Sequence, residues 1–160
     1  MLRKKQGFTL IELLVVIAII GLLSTLAVVS LGAARVKARN AKRLSDLNTL
    51  RTALEMYYND HQAYPNSGGN WDGLYSSYGE SLTDWIPGLV PQYIAQLPRD
   101  PRNHTDGSQQ YIYRSNTIDY KLISHVPEDC AGVKASYPNM IDPIRDCWAF
   151  GFWSPGGAGF

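Results

Sequence analysis

The apolar positions of this chain change rhythm three times. From Leu13 to Ala34 no residue carries a charge, a run of 22 residues. At ~1.5 Å per residue such a run makes a helix of about 33 Å, enough to cross a bilayer core of ~30 Å. From Leu44 onward the rhythm becomes periodic: Leu44, Leu47, Leu50, Leu54 and Tyr57 or Tyr58 recur at steps of three and four, one stripe of an amphipathic helix. Arg35, Lys37, Arg39, Lys42, Arg43, Arg51 and Glu55 largely occupy the other faces. No proline precedes Pro65. The pattern therefore predicts one helix from about Thr9 to about Gln62, roughly 80 Å long, apolar all round in its first part and amphipathic in its second. Gly21 and Gly32 are its weak points, each costing up to ~1 kcal/mol against alanine.

The texture changes at Tyr64-Pro65, since all nine prolines lie from there onward. Residues 71–101 read as an irregular segment with short helical turns, anchored by Trp71, Leu74, Tyr75, Tyr78, Leu82 and Trp85. Gln109–Ser115 and Ile118–Val126 alternate as strands. Tyr111 and Tyr113 share a face of the first, and Ile118, Tyr120 and Leu122 a face of the second, which predicts an antiparallel hairpin. Cys147–Trp153 is a third strand with Trp148, Phe150 and Phe152 on one face, and the Gly-rich tail Ser154–Phe160 is expected to be mobile. The fold class is α+β: a long N-terminal helix, transmembrane then amphipathic, packed against a small antiparallel sheet.

Charge adds one anomaly. Met1–Gln6 carries Arg3, Lys4 and Lys5, and the apolar stretch that follows begins around an acid, Glu12. A carboxylate in lipid costs at least ~2.5 kcal/mol, so it needs a partner. A secretory signal peptide fits the basic start but not the length of the apolar run. A plain membrane anchor explains neither Gly7 nor Glu12. Without Arg3, Lys4 and Lys5 the side chains hold 12 basic against 14 acidic residues, which gives no bulk charge for nucleic-acid binding. The positive-inside rule does not orient the span, because Arg35–Arg43 is basic as well.

Lys4-Lys5-Gln6-Gly7 followed by Phe8-Thr9-Leu10-Ile11-Glu12 and the apolar run resembles the type IV prepilins and type II secretion pseudopilins. The resemblance implies a leader, residues 1–7, cut after Gly7 by a prepilin peptidase and leaving an N-methylated Phe8. It implies a transmembrane and filament-core helix over residues 8–34, then an amphipathic half-helix with a globular domain over residues 35–160. The N-terminus would lie in the cytoplasm, in a single-pass inner-membrane precursor that becomes an extracytoplasmic filament. Glu12 would be the assembly residue, pairing with the N-terminal amine of a neighbouring subunit. Pairing relieves the desolvation of both charges. Glu12 also lies four residues after Phe8, so the pair can equally form within one helix. The implied partners are other copies in a helical filament, the peptidase, an inner-membrane assembly platform and related minor pilins. Many family members carry a proline late in the apolar run, where this chain has Val29.

Tyr64-Pro65 followed by Leu97-Pro98-Arg99-Asp100-Pro101 is similar to the major pseudopilin, whereas Cys130 and Cys147 are similar to the cystine-bounded C-terminal loop of many pilins. In an exported chain the two cysteines are expected to be bonded, with two separate buried thiols as the alternative. Major pseudopilins often bind calcium. Glu128, Asp129, Asp142 and Asp146 offer oxygens, but no recognisable loop gathers the ~6–8 that calcium takes, so no cofactor is expected. His61, His104 and His125 are isolated, no nucleophile and base stand at useful spacing, and Gly156–Gly159 does not precede a helix. An enzyme is therefore not expected. Four Trp and ten Tyr leave nucleic acid open as a partner, although sheet faces account for most of them. The expected function is that of a structural subunit of a pilus or secretion pseudopilus. The alternative is a membrane-anchored exported binding domain that never polymerises.

Overall fold

The computed structural model describes residues 7–75, 84–102 and 107–160. The sequence anchors Tyr78 and Leu82, and His104, lie outside the described residues. The chain divides into two compact units, one up to Val36 and one over Lys37–Phe160.

Helix α1 spans Leu10–His61, close to the predicted limits. It opens on a reciprocal cap. The Thr9 amide and hydroxyl both donate to Glu12 Oε2, at 2.8 and 2.6 Å, and the Glu12 amide donates back to Thr9 Oγ1 at 3.3 Å. This Thr-x-x-Glu arrangement satisfies amides that otherwise lack partners at a helix start. The helix closes at Gln62, whose left-handed φ of 54° turns the chain while its amide donates to the Tyr58 carbonyl. Helical structure continues through Gly21 and Gly32. In the first unit every side chain from Phe8 to Arg35 is exposed, and this part is long and apolar enough to cross a membrane.

In the second unit the stripe of α1 is buried at Leu47, Leu50, Ala53 and Leu54. It covers a five-stranded antiparallel sheet of order β1-β2-β3-β5-β4, made of β1 (Asp72–Gly73), β2 (Tyr111–Ser115), β3 (Tyr120–His125), β4 (Ile141–Asp142) and β5 (Asp146–Trp153). The predicted hairpin is β2–β3, with Tyr113 opposite Leu122. Tyr111, Tyr113, Tyr120, Leu122 and Phe150 face the helix. Ile112, Ile123 and Ala149 line the opposite face beneath Trp71. Gly151 pairs with Ile123 where β5 lies beside β3, and an added Cβ would meet the Leu122 carbonyl and lie 2.7 Å from Ile123 Cα.

Four expectations are corrected. Arg43 is not on a solvated face but fully buried, because two carboxylates receive it. Ile118 lies in the turn before β3 and is exposed, since Asn116 accepts from the amides of Ile118 and Asp119 and holds a turn there. Trp148 shares the strand of Phe150 but is 65 % exposed, near the start of β5 and one residue before its pairing with β3 begins at Ala149. The tail is ordered rather than mobile. Gly156–Gly159 forms a 3-10 turn, and the carbonyls of Ala158 and Phe160 each accept from Lys121 Nζ at 3.0 Å. A short helix that the sequence reading missed, α2 (Cys130–Ser136), starts on Asp129, whose carboxylate accepts from the Gly132 amide at 2.9 Å.

Candidate assembly site

The N-terminal site consists of Gly7, Phe8, Thr9 and Glu12. Gly7 and Phe8 precede α1 outside any helix or strand and are exposed. Glu12 is engaged by Thr9. The acid that the sequence left without a local partner thus has one, and the signal that identifies it is the Thr9-x-x-Glu12 spacing itself. The capped carboxylate is only partly used, since both of its hydrogen bonds come from Thr9 and fall on Oε2.

In the second unit the charges of α1 are organised by a cluster around Arg43. Its guanidinium grips Asp100 in a two-pronged pair, Nε to Oδ2 at 2.7 Å and Nη2 to Oδ1 at 2.9 Å. Nη1 donates to Asn40 Oδ1 at 2.7 Å and to Glu128 Oε2 at 3.1 Å. Glu128 also receives Arg39 at 2.5 and 2.6 Å and Arg102 at 3.0 Å. One buried arginine therefore fastens the helix to the Leu97–Pro101 segment and to the chain just before α2. Nearby, Tyr111 donates to Asp46 Oδ2 at 2.9 Å, and burial beside that acid pushes its hydroxyl well above the ordinary tyrosine range.

Burial alone would raise the Glu128 carboxyl, but hydrogen bonds from Arg39 and Arg43, with their charges, hold it down to about 2. A carboxylate depressed in the folded state contributes stability that is present above its unfolded value near 4.5 and lost as pH falls toward about 2. The shift corresponds to about 3 kcal/mol, of which roughly two thirds is lost by pH 3. Urea unfolding of the full chain in detergent at pH 6 and pH 3 is expected to show that loss. Glu128→Gln is expected to lower stability at pH 6 and to flatten the acid limb.

The C-terminal end is fixed by a disulfide between Cys130 and Cys147, with Cα atoms 5.2 Å apart, which ties the start of α2 to β5. In the chain-entropy model a loop of this size stabilises by ~3 kcal/mol. The acids weighed as oxygen ligands are occupied. Asp142 accepts from buried Lys121 at 3.0 Å, from the Ile144 amide at 2.8 Å and from Arg145 at 3.0 Å. Burial would raise the Asp142 carboxyl, but these donors together hold it below its usual value. Asp146 pairs with Lys134 at 2.9 Å, and Glu128 belongs to the arginine cluster. Among the described residues no group of three or more His, Cys, Asp or Glu side chains is placed to hold a metal ion.

Two family models match the chain. The prokaryotic N-terminal methylation motif covers residues 2–33. The model for type II secretion system protein G covers residues 30–140, more than half of the chain. The chain belongs to the type II secretion system protein G family. Relatives named type II secretion system core protein G agree with this. That of Dickeya chrysanthemi is 39% identical over 101 residues, 62% of this chain and 64% of the relative. That of Aeromonas hydrophila is 36% identical over 107 residues, 62% of this chain and 68% of the relative. That of Escherichia coli K12 is 41% identical over 106 residues, 61% of this chain and 67% of the relative. The chain thus spans just under two thirds of the Dickeya protein and about two thirds of the other two. No solved structure matches. Family membership decides between the two similarities read from the sequence, in favour of the pseudopilin. The protein G match begins at residue 30 and takes in Asn40, Arg43 and Asp100, so the buried cluster lies within the family region.

Proposed function

We propose that the chain is a structural subunit of a type II secretion pseudopilus. It is inserted in the inner membrane through the apolar part of α1, with residues 1–7 as a cytoplasmic leader. A prepilin peptidase cuts between Gly7 and Phe8 and methylates the new amine. Residues 8–34 then pack against other copies in the filament core while residues 35–160 lie outside. Transfer from lipid to that core costs little because both surroundings are apolar. Its partners are other copies, minor pseudopilins and an inner-membrane assembly platform. Its role is mechanical and not catalytic.

The observation that carries this reading is the methylation motif over residues 2–33 joined to a protein G region over residues 30–140. The structure supplies physical support. Gly7 and Phe8 are exposed and lie outside any helix or strand, which leaves that bond accessible, and Glu12 lies one helical turn beyond them. Cleavage creates an ammonium group beside that carboxylate, so an acid that costs energy in a plain anchor becomes one half of an ion pair. Gly7→Val is expected to block processing. In cells that also express the peptidase, the variant should migrate at precursor size and wild type at mature size. A variant that still matured would remove Gly7 from the cleavage site.

A further inference from the structure

A cleft of about 340 Å³ opens between α1 and α2 in the second unit. That volume falls at the lower end of the ~300–1,000 Å³ of small-molecule sites. Buried Val133 and half-buried Tyr137 give it an apolar wall, and Lys37, Asn40 and Asp129 bring polar groups to it. None of these three is fully used inside the subunit. Asn40 is only 7 % exposed. Its Oδ1 accepts from Arg43 Nη1 at 2.7 Å, which fixes the carboxamide and leaves its NH2 group without a partner among the described residues. Solvent reaches that group, since only Gln109 Oε1 and Ser124 Oγ are both sealed and unpaired among the described residues.

The two charges of the cleft are unpaired as well. Among the described residues neither Lys37 nor Asp129 forms a salt bridge, with each other or elsewhere. Asp129 Oδ1 caps α2 by accepting from the Gly132 amide at 2.9 Å, and its Oδ2 accepts nothing among the described residues. Gly132 makes room for that oxygen, because an added Cβ would collide with it. A cation, an anion and a buried amide donor therefore share one cleft, each with capacity left. A ligand that carries both signs satisfies the set. Its anion takes Lys37 and the Asn40 NH2 group, and its cation takes Asp129 Oδ2.

We infer that the cleft binds the headgroup of a lipid that carries a phosphate and a primary ammonium, phosphatidylethanolamine. This rests on the proposed insertion of the apolar part of α1 in a bilayer. Lys37 is three residues beyond Ala34, the last of the uncharged run, and Asn40 is six beyond it. Along α1 these are rises of about 4.5 and 9 Å. A headgroup layer reaches about 5–7 Å past each side of the hydrocarbon core. Lys37 thus falls within that layer and Asn40 at its outer edge, where basic residues meet lipid phosphates. The mixed charge selects among lipids. Phosphatidylglycerol has no cation, and its phosphate would face Asp129 uncompensated. Phosphatidylcholine has a cation with no N–H to donate to Oδ2.

The test titrates the full chain in detergent with phosphatidylethanolamine, phosphatidylcholine or phosphatidylglycerol and reads bound lipid by native mass spectrometry. Phosphatidylethanolamine is expected to be retained about tenfold better than either of the others, the scale of one charge-assisted hydrogen bond. Lys37→Gln is expected to weaken its retention by a similar factor. Asp129→Asn keeps the cap of α2 but is expected to abolish the preference over phosphatidylcholine. Asn40→Asp keeps an acceptor for Arg43 and is expected to weaken retention by setting an acceptor against the phosphate. Near-ultraviolet circular dichroism of the three variants should match wild type. Soluble O-phosphoethanolamine in excess should displace the lipid. Equal retention of the three lipids, or retention unchanged in both Lys37→Gln and Asp129→Asn, would overturn the site. Binding of O-phosphoethanolamine without retention of the lipid would overturn its assignment to a membrane headgroup. A chain absent from the membrane fraction of cells would instead overturn the insertion reading on which the site rests.

Discussion

Arg43→Met is expected to destabilise the Lys37–Phe160 unit by about 3–5 kcal/mol, the scale for removing one partner from a buried ion pair. The arginine is fully buried and Asp100 nearly so, and their pair is two-pronged. Methionine fills much of the volume but leaves Asp100 without the cation that offsets its desolvation and takes one of three cations from Glu128. Asn40 loses a donor as well. The loss is comparable to much of the ~5–15 kcal/mol that holds a domain folded. Urea unfolding of the full chain in detergent, read by near-ultraviolet circular dichroism, measures it. Arg43→Met combined with Asp100→Leu is expected to recover part of the loss, because a matched apolar pair leaves one fewer buried charge unpaired. Equal stability of Arg43→Met and wild type would show that the cluster does not fasten the helix.

Replacing Glu12 is expected to have the largest effect on assembly. Glu12→Ala removes both the charge and the cap that Thr9 shares with it. Glu12→Gln removes only the charge, because a glutamine at that position still closes a capping box. Both are expected to abolish visible filaments while the precursor remains in the membrane. In each, the methylated amine of Phe8 would enter an apolar core unpaired, at a cost of several kcal/mol per subunit. Filaments from Glu12→Gln but not from Glu12→Ala would assign the residue to helix capping alone. Electron microscopy together with membrane fractionation separates the outcomes.

The sequence displayed the features that depend on long patterns or fixed spacing. The uncharged run, the helix limits, the alternation of the β2–β3 hairpin and the motif around Gly7 and Glu12 are repeated or rigidly spaced signals, so local chemistry exposes them. What it concealed was set by tertiary contact. Arg43 looked solvated because it is charged. Yet counting back from Leu54 through Leu50 and Leu47 reaches Arg43 and then Asn40, so both occupy the buried stripe. The partner acid sits within Leu97-Pro98-Arg99-Asp100-Pro101, a frame that was visible without its purpose. Strands β1 and β4 have two residues each, too few for alternation to appear. The tail read as mobile from its glycines, and its order comes from Lys121 and from Arg145, which donates to the Phe160 carbonyl at 2.9 Å. Exposure of Trp148 beside the buried Phe150 marks where sheet packing ends, which alternation cannot report.

The central claim is that cutting the Gly7–Phe8 bond converts a membrane-anchored precursor into a filament subunit. The measurement that tests it most directly is the intact mass and N-terminal sequence of the subunit recovered from sheared, pelleted filaments. The expected product is a chain that begins at Phe8 and carries a methyl group on its amine. Filaments built from chains that begin at Met1, or a mature chain found only as dispersed membrane protein, would contradict it.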